Sequence, residues 1–286
     1  MGIGTQTSVA HTLGQNDNDH AARITGLALL LSGLFGLILL LAGWLAAEMV
    51  AALLGAEGDV QAKAVTYMQI RLFGAPAMLA ILAAFGALRG VQDMRTPLWI
   101  ALVVNLINMA LDALLIAGYG PIPAFGIAGA AWATVAAQWL GAAWAVTAVL
   151  RKLGRPPRLY LQEARRSLQI GGNLFLRTGL LTLFMLLTTR IATQIGVQSG
   201  AAHQAIRQFW LFAALGLDAL AITAQSLVGY FIGSHWLAQA KRVALYSCVW
   251  GSALARCWPW VCGGGWPGLP TCWYRTRPFP CFMPPG

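Results

Sequence analysis

Residues 124–150 run for 27 positions without a charged side chain, and five other stretches of the chain come close to this. A helix that crosses a bilayer needs ~20 consecutive, mostly apolar residues. Residues 24–47 carry no charge, 64–88 carry only Arg71, and 97–117 carry only Asp112. Residues 167–195 hold Arg177 and Arg190, and residues 203–232 hold Arg207 and Asp218. This pattern predicts six spans, with a seventh that begins near residue 243 and is not completed cleanly. Residues 1–14 are too short to span and read as the last turns of an earlier helix. Charged residues make up 10% of the chain against ~25% in soluble domains, which excludes a soluble enzyme and a disordered chain. The expected class is all-α: a polytopic transmembrane helix bundle in the lipid bilayer.

The net charge of +10 does not point to nucleic acid, because the cations sit in short loops between apolar runs. The 151–166 loop holds Arg151, Lys152, Arg155, Arg158, Arg165 and Arg166 against Glu163 alone. Basic loops stay on the cytoplasmic side. Alternation then places 15–23, 89–96 and 234–242 inside, and 55–63, 118–125 and 196–202 outside. The three outer loops together hold only Glu57, Asp59 and Lys63 as charged residues. The expected location is the cell membrane, multi-pass, of the bacterial inner-membrane kind, with the 151–166 loop cytoplasmic.

Transporters often arise by internal duplication. At an offset of 219, Gln6, Val9, Gly14, Ala21 and Arg23 meet Gln225, Val228, Gly233, Ala240 and Arg242. Both copies end a helix on the cytoplasmic side, so the expected repeat is parallel. The last 34 residues differ in character, with seven prolines, four of the five cysteines and no Asp, Glu or Lys. The spacing of Cys257, Cys262, Cys272 and Cys281 matches no zinc pattern, and no metal site is expected. Residues 253–286 read as a frameshifted tail, or else a genuine irregular one, and order is expected to fade after about Ala253.

Ionisable groups inside a bilayer are costly and therefore functional candidates. Asp112 lies about 24 Å along its helix from the cytoplasmic end, at 1.5 Å per residue, in the outer half. Asn108 and Asn105 continue its face at helical spacing. An Asn-x-x-x-Asp pair offers oxygens suited to a proton or a hard cation. The bland alternative is a carboxylate that caps a neighbouring helix at the outer interface. Arg177 and Asp218, on adjacent antiparallel helices, are expected within reach of an ion pair, either static or switchable. Gln225 and Asn105 are possible cavity residues. His11, His20, His203 and His235 are unclustered and read as interfacial anchors. No phosphate loop, nucleophile elbow or H-E-x-x-H occurs, so neither an enzyme nor ATP-driven transport is indicated.

The run Arg89-Gly90-Val91-Gln92-Asp93-Met94-Arg95-Thr96-Pro97, with Asn105, Asn108 and Asp112, resembles the multidrug and toxic compound extrusion (MATE) transporters. So do Gly126-Ile127-Ala128-Gly129-Ala130-Ala131-Trp132-Ala133-Thr134, Gly172-Asn173-Leu174-Phe175-Leu176-Arg177-Thr178 and Leu217-Asp218-Ala219-Leu220-Ala221. Within that family the resemblance is to the DNA-damage-inducible-type branch, over roughly residues 1–252. It implies a twelve-helix fold in two lobes, of which this chain holds a part from the end of helix two to the start of helix nine. Residues 1–150 would be the remainder of the N-terminal lobe, 151–166 the inter-lobe loop and 167–252 the start of the C-terminal lobe. The family's first-lobe cation site implies coupling roles for Asn108, Asp112 and Thr134. Its further Asp on helix one has no counterpart in these residues.

The function this implies is secondary active efflux: antiport of drugs or other small cationic or amphipathic compounds against H⁺ or Na⁺. No cofactor beyond the coupling ion and a monomeric state are expected. A lipid-linked-sugar flippase of the same superfamily is the alternative within transport. A non-transporting remnant of a broken gene is the alternative outside it, and on either transport reading this fragment alone is expected to be inactive.

Overall fold

The computed structural model describes residues 2–53, 58–118, 123–154 and 161–263. Nine helices and no strands occur among these residues: α1 (Gly2–Gly14), α2 (Asn18–Leu53), α3 (Gly58–Leu72), α4 (Ala75–Gly90), α5 (Arg95–Ala117), α6 (Gly126–Leu153), α7 (Leu161–Ile195), α8 (Val197–Gly233) and α9 (Leu237–Gly263). The all-α expectation holds. Asn18–Ala52, Arg95–Ala117, Gly126–Leu153 and Ser199–Gly233 are long and apolar enough to cross a membrane. Large apolar side chains on α2, α5 and α8 face outward, as with Leu45, Leu106 and Ile206. In a multi-pass membrane protein such faces meet lipid.

Two spans differ from the sequence reading. The run 64–88 is not one helix: α3 and α4 meet at a 44° bend across Phe73 and Gly74. Pro76 explains the break, because it lacks an N–H and its ring clashes with the carbonyl four residues earlier. Backbone freed inside a membrane must find partners within the protein. The Trp139 indole of α6 donates to the Phe73 carbonyl at 3.1 Å, and the Phe73 ring packs between Trp44 and Trp132. In α7, Thr178–Ala192 form an apolar stretch within the expected 167–195 span. The helix is longer than expected at its start, taking in residues 161–166 of the basic loop.

The tail also departs from expectation. Helix α9 continues past Ala253 to Gly263. Extending an existing helix costs far less than nucleating one, and Ala253, Leu254 and Ala255 are good helix formers. Residues 264–286 lie outside the described residues.

The best-buried cluster joins α4, α5 and α6 through Ala84, Ala87, Leu88, Ile100, Ala145 and Val149. Three of the six are alanine, which lets membrane helices approach closely. Helix α1 is packed by α2, α4 and α8 and buries Gln6, Val9 and Ala10.

The 219-residue repeat is visible atom by atom. Asn16 and His235 both have left-handed backbones, with φ of 59° and 60°. Each closes its helix with the same two hydrogen bonds. Asn16 N donates to Leu13 O and Asp17 N to Thr12 O, while His235 N donates to Ile232 O and Trp236 N to Phe231 O. This is the Schellman motif, with the left-handed residue just past the cap. The two copies then cross one another. A Cβ on Gly14 would strike the Tyr230 carbonyl, and one on Gly233 would strike the His11 carbonyl. Tyr230 is His11 shifted by 219, and Gly233 is Gly14 shifted by 219. Reciprocal contacts of this kind are the signature of a two-fold relation between repeats.

Candidate functional site

Helices α5 and α6 pack antiparallel, and small residues set how closely. A Cβ on Gly129 would meet the Leu115 carbonyl, and one on Gly141 would lie 2.7 Å from Val104. Between these two contacts the helices bring polar side chains together. Asn108 Nδ2 donates to Thr134 Oγ1 at 3.4 Å, and the Thr134 hydroxyl donates to the Ala130 carbonyl at 2.9 Å. Asp112 stands one turn outward of Asn108 on the same face of α5. Its Oδ1 is buried without a hydrogen-bond partner among the described residues. Buried polar atoms are normally satisfied, so this oxygen is suited to carry a proton or to meet a cation.

Asn108, Asp112 and Thr134 therefore form one polar locus in otherwise apolar helices. The donor set is one carboxylate, one amide and one hydroxyl. These are hard oxygen ligands, and a single negative charge fits a proton or a monovalent cation. Among the described residues no group of three His, Cys, Asp or Glu could hold a metal ion.

The other sequence candidates lie elsewhere. Asn105 is exposed and its amide donates back to the Ala101 carbonyl of its own helix at 2.8 Å. Gln225 Nε2 donates to Thr7 Oγ1 at 2.6 Å, which places it at the α1–α8 crossing. Gln6 Nε2 makes the converse bond to the Ile222 carbonyl at 2.7 Å. Asp218 is exposed on α8. The Arg177 side chain lies outside the described residues, and so therefore does the expected Arg177–Asp218 pair.

One polar contact beside the site was not anticipated. Arg71 Nη1, at the end of α3, donates to Gln138 Oε1 at 3.4 Å. Gln138 is one turn from Thr134 on α6, and this i, i+4 pair of polar residues in an apolar helix was the available signal. Gly74 leaves room for that amide, since a Cβ there would collide with Gln138 Oε1.

The Arg89–Pro97 run does structural work at the cytoplasmic ends. Gly90 lets α4 approach Val9 and Gln6 of α1, and the Arg89 carbonyl accepts from Ser226. Gln92 supplies a third left-handed residue, with φ of 62°. Asp93 Oδ1 accepts from the backbone N–H groups of Arg95 and Thr96 at 3.1 and 3.0 Å, capping α5. Its other oxygen pairs with Lys152 Nζ at 2.7 Å, tying α5 to α6. Burial pushes the Asp93 carboxyl up, but the bonds from Lys152 and Thr96 outweigh it and bring it down to about 2. A cleft of ≈ 740 Å³ opens beside this junction, lined by residues including Asn16, Gln92, Lys152 and Tyr230. It lies at the opposite end of α5 and α6 from Asp112.

Residues 1–114 match the family model described as MatE. The chain is 36% identical over 190 residues to the chloroplastic Protein DETOXIFICATION 44 of Arabidopsis thaliana, covering 65% of this chain and 35% of that protein. It is 28% identical over 203 residues to DNA damage-inducible protein F of Escherichia coli K12, covering 68% of this chain and 43% of that one. The crystal structure of the Vibrio cholerae MATE transporter VcmN superposes with a TM-score of 0.79 at 22% identity, over 86% of this chain and 56% of that one. The chain thus spans about a third to a half of the length of these relatives.

Proposed function

We propose a function on the premise that this chain belongs to the MatE family of membrane transporters: it takes part in cation-coupled export of small amphipathic organic compounds. Members of this family are transporters rather than enzymes, and the chain is a multi-pass membrane protein. The coupling ion, H⁺ or Na⁺, is taken at Asp112, with Asn108 and Thr134 supplying the neighbouring oxygens. The observation that carries this reading is the buried, unpartnered Asp112 Oδ1 beside the Asn108–Thr134 hydrogen bond.

When the ion binds, it neutralises a carboxylate that is costly inside a membrane. The residues of this chain do the rest. Asn108 and Thr134 hold α5 and α6 in register, and Gly129 and Gly141 keep the two helices close. Loading and unloading of Asp112 then changes the charge between α5 and α6, which biases one packing of these helices over another. The reciprocal α1–α8 crossing supports a two-lobe arrangement in which the halves move as bodies. Relatives include probable multidrug resistance proteins of Bacillus subtilis and Thermotoga maritima, which supports export of amphipathic compounds across the cell membrane.

The test is efflux of a fluorescent amphipathic dye, driven by an imposed H⁺ or Na⁺ gradient, from cells producing a two-lobe transporter that carries these residues. Asp112→Asn is expected to abolish gradient-driven efflux at unchanged membrane abundance. Unchanged efflux in that variant would leave Asp112 a structural role only.

A further inference from the structure

Near the other end of the second helix hairpin, donors converge on one oxygen. Thr189, on α7, spends its single hydroxyl proton on the Met185 carbonyl at 2.8 Å. Its oxygen is therefore an acceptor for anything else it meets. Arg207 Nη1 donates to it at 3.5 Å. His203 Nε2 lies 3.4 Å from it and donates to it in the tautomer that carries the proton on that nitrogen. Arg207 and His203 are four residues apart on α8, so they share a face. Both are half-buried on a helix whose side chains are otherwise mostly exposed.

The contacts are long compared with the usual 2.7–3.2 Å, so the hydroxyl satisfies these donors only weakly. Arg207 offers five N–H donors in a planar fork, and one of them reaches Thr189. No carboxylate forms an ion pair with Arg207 among the described residues. Asp218, the carboxylate on the same helix, is 11 residues further on, about 16 Å along the axis. The cluster also sits on the side that topology leaves poor in cations. Thr189 is about 9 Å from the end of α7 at Ile195, and Arg207 about 15 Å from the start of α8 at Val197. In the orientation set by the basic 151–166 loop, both ends are outer ends. Cations within a span, away from the cytoplasmic side, are costly and point to a ligand.

We propose that Arg207 and His203, converging beside Thr189, bind an oxyanion group, phosphate or carboxylate, carried by a solute or a lipid that reaches the outer ends of α7 and α8. A guanidinium fork matches the paired oxygens of such a group, and the imidazole adds a donor from the same face. This deepens the export reading, on which it rests for its role in transport, by giving the amphipathic compound an anionic group.

Isothermal titration calorimetry of the purified protein with inorganic pyrophosphate tests it, without any ion gradient. Saturable binding is expected, weakened about tenfold or more in Arg207→Gln and His203→Gln. Arg207→Lys keeps the charge and is expected to lose less than Arg207→Gln. Arg242→Gln, a cation exposed on α9, is expected to bind as the wild type does. A second arm repeats the titration in bicelles containing phosphatidylglycerol or phosphatidylcholine. Competition by phosphatidylglycerol assigns the site to a lipid headgroup, and lack of competition assigns it to a solute; either supports the oxyanion site. Variants are compared at equal helical content by circular dichroism. The proposal is overturned by wild-type affinity in folded Arg207→Gln and His203→Gln, or by a wild type that neither binds pyrophosphate nor prefers phosphatidylglycerol. Because no gradient is applied, such a failure leaves the coupling role of Asp112 standing, and loss of that role leaves this site standing.

Discussion

Asp93 shows how much one side chain can organise at a helix junction. It caps α5 through two backbone N–H groups and reaches Lys152 on α6. Asp93→Ala removes the cap and the pair together and should cost about 1–3 kcal/mol, read as a lower melting temperature in detergent. The pH dependence has a definite sign. The carboxyl is held at about 2, below its ordinary value of 3.8, so its contribution is complete above pH ~4. It should be lost as pH falls from there through about 2, and Asp93→Ala should melt without that acid-side loss. The left-handed residues make the opposite prediction. An L-residue in that conformation costs ~1 kcal/mol or more, which glycine avoids. His235→Gly should therefore raise the melting temperature, and a fall would show that the imidazole makes a compensating contact.

At the scale of elements, glycine placement separates packing from mere composition. Gly233 and Gly216 both lie in α8, but a Cβ on Gly233 meets the backbone of α1 whereas one on Gly216 meets nothing within 4 Å. Gly233→Leu should thus destabilise by ~1–3 kcal/mol or more through overpacking. Gly216→Ala should be neutral or stabilising by up to ~1 kcal/mol, because it adds helix propensity alone. Equal effects of the two, measured by thermal unfolding, would remove the α1–α8 crossing as a close contact. The apolar runs made most helices legible in the sequence, because a bilayer imposes a length and forbids charge. The α3–α4 break was harder to read. Pro76 signalled it, yet a membrane helix often tolerates proline, and only Trp139 and Gln138 on α6 decide that the chain bends there. The repeat was legible as five identities, while its two-fold crossing depends on atoms at Gly14 and Gly233 that no spacing rule shows. Of the candidate site, Asn108 and Asp112 were legible from spacing and Thr134 from the family resemblance. The Arg71–Gln138 bond and the meeting of Arg207 and His203 with Thr189 were not, because each joins residues from different helices.

For the whole molecule, the topology follows from where the cations lie. A cysteine placed by Arg155→Cys should react with a membrane-impermeant maleimide only when the cytoplasmic face is open, measured against the native cysteines after residue 247 as background. Labelling from the outer face of sealed cells would reverse the orientation and put the Arg207 cluster on the cytoplasmic side. The helices are largely apolar, and two polar sites stand out among their few charged residues: a carboxylate between α5 and α6, and an arginine with a histidine beside it between α7 and α8. The central claim is that the carboxylate carries the coupling ion. In proteoliposomes with an internal pH or Na⁺ indicator, adding a transported dye should drive a counterflow of one of these ions through a two-lobe transporter that carries these residues. This ion signal should disappear in Asp112→Asn and fall about tenfold in Asn108→Ala; dye-driven ion counterflow that persists at the unsubstituted rate in Asp112→Asn would contradict a coupling role for this carboxylate.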